Sequence, residues 1–233
     1  MLPVLQQTHA AAERAKEHAA GLRLQTASPL RIGFVPDAPT PPFAPVFAEL
    51  AARLPGFELS LAETGAAGLF DALLHGTLDA EVVTGTAALP DRLNRWSLFT
   101  DSMVLLVPSG HTLAGADPIL PNALDGEAVI CRHPDCALTQ LLGQARDGNA
   151  PCPAIRHQAD TPGRMADLVR AGLGIAVSTE RAAPPEGLHR RPLAWRAAHD
   201  VLLVAVAGRP FTRAADAFIK LVRAQAWQPS GTA

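Results

Sequence analysis

Short apolar runs alternate with segments of helical spacing from Leu30 onward. The runs Leu30–Val35, Phe57–Leu61 and Ala80–Thr84 fit strands, and the stretches between them have apolar residues three and four positions apart. Strands that alternate with helices form parallel sheets with right-handed crossovers. The start of the compact region therefore predicts a βαβαβ unit.

Threonine, proline and glycine residues mark the ends of the two intervening helices. Thr40 with Pro41 should begin the first helix and Pro55-Gly56 should end it, whereas Gly76 should end the second. Each helix carries an apolar stripe that can pack on the sheet. The stripe residues are Phe43, Val46, Phe47, Leu50 and Leu54 in the first helix, and Leu69, Phe70 and Leu73 in the second.

A second series of strands and helices follows the first. Between the two series, Trp96–Thr100 and Met103–Val107 are predicted to be short strands around Asp101-Ser102. The loop-rich stretch Gly110–Pro121 is predicted to cross between two αβ lobes. The second series comprises strands at Ala128–Cys131, Ala154–His157, Ile175–Val177, Leu188–Pro192 and Val201–Ala207, and helices at Asp135–Ala145, after Thr161 and after Pro210.

The segment Thr161–Thr179 carries the clearest local signals. Thr161 can accept a hydrogen bond from free backbone amides, and Pro162 sits in a first turn, where its missing N–H costs nothing. Gly172 can adopt the left-handed conformation that ends a helix. The apolar run Ile175–Val177 fits a strand covered on both faces. On spacing alone this is an ordinary αβ unit, which occurs in folds with many functions.

Composition excludes several classes of protein. The 233 residues are 48% hydrophobic and 18% charged, as expected of a soluble globular chain with a large core. The formal net charge of −2 provides no basic field for a phosphate backbone. No apolar run is long enough to span a bilayer or to form a signal peptide, so we expect a cytoplasmic protein without a membrane partner. Three cysteines do not suggest a secreted disulfide framework.

Four stretches of the chain carry a family resemblance. They are Leu30–Phe34, Leu69–Ala80, Pro108–Ala114 and Leu168–Val177. In order and spacing they resemble the effector-binding region of LysR-type transcriptional regulators. Agreement among several weak signals makes the resemblance specific, and it covers roughly residues 30–227.

The resemblance implies an α/β, two-lobed, periplasmic-binding-protein-like (type II) fold with two crossovers, preceded by a linker helix. The implied bounds are 1–24 for the C-terminal part of the linker helix, 30–107 for lobe I, 108–200 for lobe II, 201–227 for the return to lobe I and 228–233 for a tail. The winged helix-turn-helix that this family carries before its linker helix is absent from the sequence.

The resemblance also implies a function. Such a domain senses a small-molecule effector, here expected to be a small organic acid, and forms a homodimer or tetramer. It contacts DNA only through the missing domain, and neither catalysis nor a cofactor or metal is implied. The residues themselves give no sign of catalysis either, because the sequence lacks a Gly-rich phosphate loop, a metal-spaced His/Cys cluster and a nucleophile elbow. Cys131 with His133 fits a buried thiol beside a loop histidine better than a catalytic pair.

The expected ligand cleft lies between the lobes, where loops leave the carboxyl ends of the strands. Each hydroxyl in those loops is equally well explained as a helix cap, and Arg132 as a solvated cation. The candidate ligand-binding residues are Asp37, Thr40, Thr64, Gly65, Thr84, Thr86, Cys131, Arg132, His133, Asp160, Thr161 and Ser178.

The first of these loops is unsuited to an anion. Its prolines, at positions 39, 41 and 42, have no N–H to donate, and Asp37 adds a negative charge. A carboxylate effector is therefore expected to use Thr64, Arg132 and His133 instead.

Three alternatives stay open from the sequence. Asp135–Gln140 resembles the peroxide-sensing member of the family around its reactive cysteine, which permits a redox role for Cys136, although a structural or incidental thiol is the preferred interpretation. Ala145 stands near the place of that sensor's partner cysteine, so Cys131 or Cys152 would have to replace it. A free-standing solute-binding protein of the same fold is disfavoured by the lack of a signal peptide. An enzyme ranks last, because no acid, base and nucleophile are assembled.

Overall fold

The computed structural model describes residues 28–63, 65–85, 89, 91–132, 154–183, 185–195 and 197–227. Its strands are β1 Ser28–Phe34, β2 Phe57–Glu63, β3 Ala80–Thr84, β4 Leu93–Pro108, β5 Ala128–Cys131, β6 Ala154–Gln158, β7 Ile175–Thr179, β8 Leu188–Pro192 and β9 Ala198–Val206. Its α-helices are α1 Ala44–Arg53, α2 Ala66–His75, α3 Pro162–Arg170 and α4 Arg213–Ala224. Short 3₁₀ turns cover Pro41–Phe43, Thr112–Gly115 and Pro121–Leu124.

The chain divides into two compact units. Unit 1 comprises Met1–Thr100 and Asp200–Ala233, and unit 2 comprises Asp101–His199. The chain passes from unit 1 to unit 2 within β4 and returns within β9. The stretch Gly110–Pro121, expected to make the crossing, lies wholly inside unit 2.

The sheet of unit 1 has the strand order β2-β1-β3-β9, with the first part of β4 next to β9. Strand β1 pairs in parallel with both β2 and β3, and β3 pairs antiparallel with β9. The predicted βαβαβ unit is thereby confirmed, with α1 and α2 as its crossover helices.

Prolines delay the start of α1. Thr40 makes no side-chain cap, and the 3₁₀ turn at Pro41–Phe43 precedes the α-helix, which begins at Ala44. The predicted apolar stripe then faces the core, because Val46 and Leu50 are buried and the helix packs against α4. The apolar stripe of α1 therefore packs against the core of unit 1.

Aromatic rings join the elements of the unit 1 core. Phe43 lies edge-to-face against Phe34, with 5.3 Å between the ring centroids. Trp227 lies 5.3 Å from Phe43 and 4.9 Å from Phe99, measured between centroids. Each such pair contributes about 0.5–1.5 kcal/mol beyond the burial of its surface. These contacts hold the residues that follow α4 against β4 and against the turn before α1.

The sheet of unit 2 has the strand order β8-β4-β7-β5-β6. Strand β5 pairs in parallel with β6 and β7, whereas β4 pairs antiparallel with β7 and β8. Helix α3 packs against β5, β7 and β8. Its residues Met165 and Val169 are buried together with Ile130 and Ala176.

The two short strands predicted around Asp101-Ser102 are one continuous strand, β4. Ser102 O accepts a hydrogen bond from Glu180 N at 2.8 Å, and Met103 N donates to Ala197 O at 2.7 Å. These bonds hold the polar pair in extended backbone, because a turn here would leave backbone groups without partners. The predicted break was wrong because the polar residues were interpreted as a turn.

The capped unit of α3 and β7 is confirmed. Thr161 Oγ1 accepts a hydrogen bond from Arg164 N at 3.3 Å, and Pro162 is the first residue of α3. Gly172 follows the helix at a φ of 78°, the left-handed conformation that was expected. Both ends of the helix are therefore set by local sequence.

Helix α4 begins later than predicted. The expected start was Pro210, but the helix starts at Arg213 because Thr212 caps it. The Thr212 hydroxyl accepts a hydrogen bond from Ala215 N at 3.1 Å, which satisfies one of the free amides of the first turn. The apolar face of the helix is buried around Phe218.

Several predicted elements lie outside the described residues. They are the linker helix at 1–24, the helix Asp135–Ala145 and the tail at 228–233. The bounds expected for the two lobes stay a prediction. Among the helices of the described part, none is long and apolar enough to cross a membrane.

A substitution at Gly174 tests how closely the chain at the start of β7 must approach β5. A Cβ at this position would overlap the carbonyl group of Ala128, and the φ of 149° is one that other residues rarely adopt. We expect Gly174→Ala to lower the free energy of unfolding by about 2–4 kcal/mol in urea denaturation. Gly110→Ala is the control, because nothing lies within 4 Å of its added Cβ, and its effect should stay below about 0.5 kcal/mol. Equal effects of the two variants would contradict this packing.

Candidate functional site

The carboxyl ends of β1, β2 and β3 meet at one edge of the unit 1 sheet, because these strands run in parallel. The chain after β1 stays against β3, since Val35 N donates to Val82 O at 3.0 Å. The predicted ligand residues at this edge that the structure describes are Asp37, Thr40, Gly65 and Thr84.

The unit 1 edge offers few hydrogen-bond donors after β1. Asp37 and Thr40 are exposed, and the proline-rich turn before α1 supplies carbonyl groups without matching N–H groups. Gly65 caps α2 in extended backbone with nothing within 4 Å of the position of an added Cβ. Of the N-termini of α1 and α2, that of α2 is therefore the more open.

The carboxyl ends of β5, β6 and β7 meet at one edge of the unit 2 sheet for the same reason. Ala159 N, just after β6, donates to Cys131 O at the end of β5 over 3.0 Å. The structure thereby brings five predicted ligand residues to this edge: Cys131, Arg132, Asp160, Thr161 and Ser178.

Two of these residues have clear structural roles. Asp160 binds the Arg164 guanidinium, with both carboxylate oxygens within 2.6 Å of Nη1. The hydrogen bond to Arg164, and then its charge, lower the pKa of Asp160. Thr161 uses its hydroxyl oxygen to cap α3, but the hydroxyl hydrogen can still be donated. Asp160 is therefore a paired carboxylate at this edge.

Cys131 and Arg132 differ in accessibility although they are adjacent. Cys131 is only 2% exposed and belongs to the hydrophobic cluster of Leu105, Val129 and Ile175. Arg132 is half-buried and leaves the end of β5. Thr64, Thr86, His133 and Cys136 lie outside the described residues.

Unit 2 contains a buried polar cluster that was not predicted from the sequence. Asp101 is fully buried, and its Oδ1 accepts a hydrogen bond from Arg181 N at 3.3 Å. Burial raises the pKa of Asp101, whereas the Thr179 hydroxyl, the charge of His199 and the Arg181 backbone and side chain partly oppose that rise. The signal that could have found the cluster is a carboxylate inside an otherwise strand-like apolar run.

The position of Asp101 follows from strand direction. Because β4 runs antiparallel to β7, the amino-terminal part of β4 lies at the carboxyl end of β7. Met103 is in register with Thr179, and Val104 with Ser178. The cluster of Asp101, Thr179 and Arg181 therefore lies at the same edge as the predicted residue Ser178.

The unit 2 edge suits noncovalent binding of a small polar ligand. Ser178 supplies a hydroxyl group at this edge, and Arg132 follows directly after β5, whereas the charge of Arg181 already acts on Asp101. Guanidinium groups bind carboxylates through charge-assisted hydrogen bonds. In the part of the chain that the structure describes, no three or more His, Cys, Asp or Glu residues group as metal ligands.

Most of the chain matches one known protein family. Residues 24–227 match the family described as LysR substrate binding domain. A probable hydrogen peroxide-inducible genes activator from Mycobacterium avium is 26% identical over 198 residues, which are 82% of this chain and 61% of that relative. The chain therefore spans about three fifths of the length of this curated relative.

Solved structures show the same fold. The C-terminal domain of a probable LysR family transcriptional regulator from Rhodococcus sp. RHA1 superposes with a TM-score of 0.70 at 21% identity, over 85% of this chain and all of that one. The CcmR regulatory domain of Synechocystis PCC6803, solved in complex with 2-PG, gives 0.69 at 20% identity, over 84% and 96% of the two chains. The predicted periplasmic-binding-protein-like type II fold is confirmed.

Proposed function

This chain belongs to the LysR substrate binding domain family, and from that premise we propose that it senses a small-molecule effector for a transcription regulator. The named relatives are transcription regulators rather than enzymes. For the whole regulator we propose DNA contact through a winged helix-turn-helix of the kind the family carries, and a cytoplasmic location.

The observation that carries the proposal is the set of polar side chains at the carboxyl edge of unit 2. Open α/β sheets bind ligands at the carboxyl ends of their strands. We propose that a small organic acid binds at this edge, with its carboxylate on Arg132 and further hydrogen bonds from Ser178 and Thr161. The regulatory domain of CcmR, solved with 2-PG, supports a small effector.

Replacing the arginine tests this assignment. If the effector is an anion, Arg132→Ala should weaken its binding by about 1.5–3 kcal/mol, the range for a hydrogen bond to a charged group. Asp37→Asn in unit 1 should leave binding unchanged or improve it, because it removes a negative charge. Calorimetric titration with a panel of mono- and dicarboxylates measures both effects.

Arg156→Ala is the matched control, because Arg156 is an exposed arginine on β6 of the same unit. It should bind the carboxylate as the unaltered chain does. A large loss from Asp37→Asn with none from Arg132→Ala would contradict the proposal and indicate a cationic effector.

A peroxide-responsive regulator is the second candidate. The relative from Mycobacterium avium is named for hydrogen peroxide-inducible genes, and the sequence around Cys136 resembles the reactive site of that kind of sensor. Burial of Cys131 argues against it as a ready disulfide partner, because a thiolate is disfavoured in apolar surroundings. We therefore propose an effector domain in which the cysteines are not a switch.

Thiol counting separates the two candidates. After mild hydrogen peroxide treatment and denaturation, we expect every thiol to react with a thiol reagent, three in the unaltered chain and two in Cys136→Ser. Loss of two thiols per chain that Cys136→Ser prevents would instead establish the redox-sensing function.

We propose that the domain forms a homodimer or larger oligomer. The apolar stripe of α1 is largely buried within unit 1, so it offers little surface to a second copy. Exposed apolar surface lies instead on β2, an edge strand, where Leu59 and Leu61 are 37% and 47% exposed on one face. An edge strand of this kind pairs readily with another chain.

A charge on β2 tests self-association. Sedimentation velocity at micromolar concentration should show a dimer or larger species that Leu61→Glu converts toward monomer, because the charge would be buried in the contact. Ser60→Glu, on the opposite face of the strand, should change the distribution less. A monomer for the unaltered chain would refute the proposal.

A further inference from the structure

Unit 1 buries a second carboxylate, which no part of the proposed effector function uses. Glu81 lies in β3, between β1 and β9, in register with Gly33 on one side and Val204 on the other. The residue has no exposed surface. Among the residues that the structure describes, neither of its carboxyl oxygens has a hydrogen-bond partner.

The surroundings of Glu81 are apolar because a glycine makes room for it. A Cβ added at Gly33 would lie 3.3 Å from Glu81 Cγ, 2.7 Å from Leu69 Cδ2 and 2.8 Å from Leu78 Cδ1. Leu69 and Leu78 are themselves buried. The Glu81 side chain therefore lies where α2 approaches the sheet, in contact with hydrocarbon.

Charged groups on the neighbouring elements do not compensate for this burial. The Asp79 carboxylate accepts a hydrogen bond from the backbone N–H of Arg31, and Arg209 donates to two carbonyl groups near the end of α2. Burial is the sole cause that raises the pKa of Glu81, to about 8. The titratable side chains on β1, β9 and α2, which pack against β3, are Arg31, Asp71, His75, His199 and Asp200, and Asp79 and Arg209 lie in the adjoining loops.

We propose that Glu81 makes unit 1 sensitive to pH across the neutral range, because the folded unit holds this side chain as the neutral acid and disfavours its ionised form. The unfolded chain ionises near the ordinary value of 4.5, whereas the folded unit does so near 8. Between these two pKa values the unfolded state binds fewer protons than the folded state. The contribution of Glu81 to stability is therefore fully present below the lower pKa and falls as the pH rises. Above the higher pKa the loss is complete.

Urea unfolding of the full chain at several pH values tests the proposal. Between about pH 5.5 and about pH 7.5, one extra proton on the folded state raises the unfolding equilibrium constant by up to about tenfold per pH unit. We expect the unfolding equilibrium constant of the unaltered chain to rise more steeply with pH than that of Glu81→Gln, whose side chain cannot ionise. Glu58→Gln, an exposed carboxylate on β2, should follow the unaltered chain. Parallel pH curves for the unaltered chain and Glu81→Gln would overturn the proposal.

Infrared spectroscopy keeps the proposal testable if Glu81→Gln does not fold. The unaltered chain at about pH 6.5 should show the carbonyl stretching band of a protonated carboxyl group, since exposed carboxylates are ionised there. The band should disappear as the pH is raised past about 9. Absence of the band at about pH 6.5 would overturn the proposal.

Discussion

The direction of parallel strands determines where the candidate functional residues of this chain lie. A parallel pair needs a crossover connection, so the chain returns on one face of the sheet and every such strand ends at the same edge. In unit 1 this applies to β1, β2 and β3, and in unit 2 to β5, β6 and β7. The polar loops then meet there, whatever their separation in sequence. The proposed effector site at the carboxyl edge of unit 2 is based on that constraint together with the residues present.

The two buried carboxylates show two solutions to one physical problem. A carboxylate removed from water is costly unless it is hydrogen-bonded or neutralised. Asp101 receives a backbone hydrogen bond and lies near His199 and a hydroxyl group, so its environment is polar. Glu81 has apolar neighbours, and the neutral acid is the form that fits. The first arrangement suits a binding edge, and the second suits a response to pH.

Much of the fold could be predicted from the sequence, because hydrophobic periodicity and the residues that begin and end helices are signals within a short stretch of chain. The bounds of β5 and β3 were predicted to the residue, and the Thr161 cap was predicted with its role. Local rules could not avoid the predicted break at Asp101-Ser102, because the buried Asp101 carboxylate depends on partners from distant residues such as Arg181. The start of α4 was missed because Thr212 competes with Pro210 as a boundary, and only the hydrogen bond decides between them.

The candidate site was predictable to a smaller extent. Residues that follow strands could be named, but the sequence does not show which side chains face the edge: Cys131 turns into the core, and Asp160 pairs with Arg164. An effector site at the carboxyl edge of unit 2 can be tested by hydrogen exchange of the full chain, with and without the tightest-binding carboxylate of a screened panel. Amides 178–181 and 159–164 should exchange more slowly in the bound state. Unchanged exchange in both segments, with protection only elsewhere, would contradict an effector site at the carboxyl edge of unit 2.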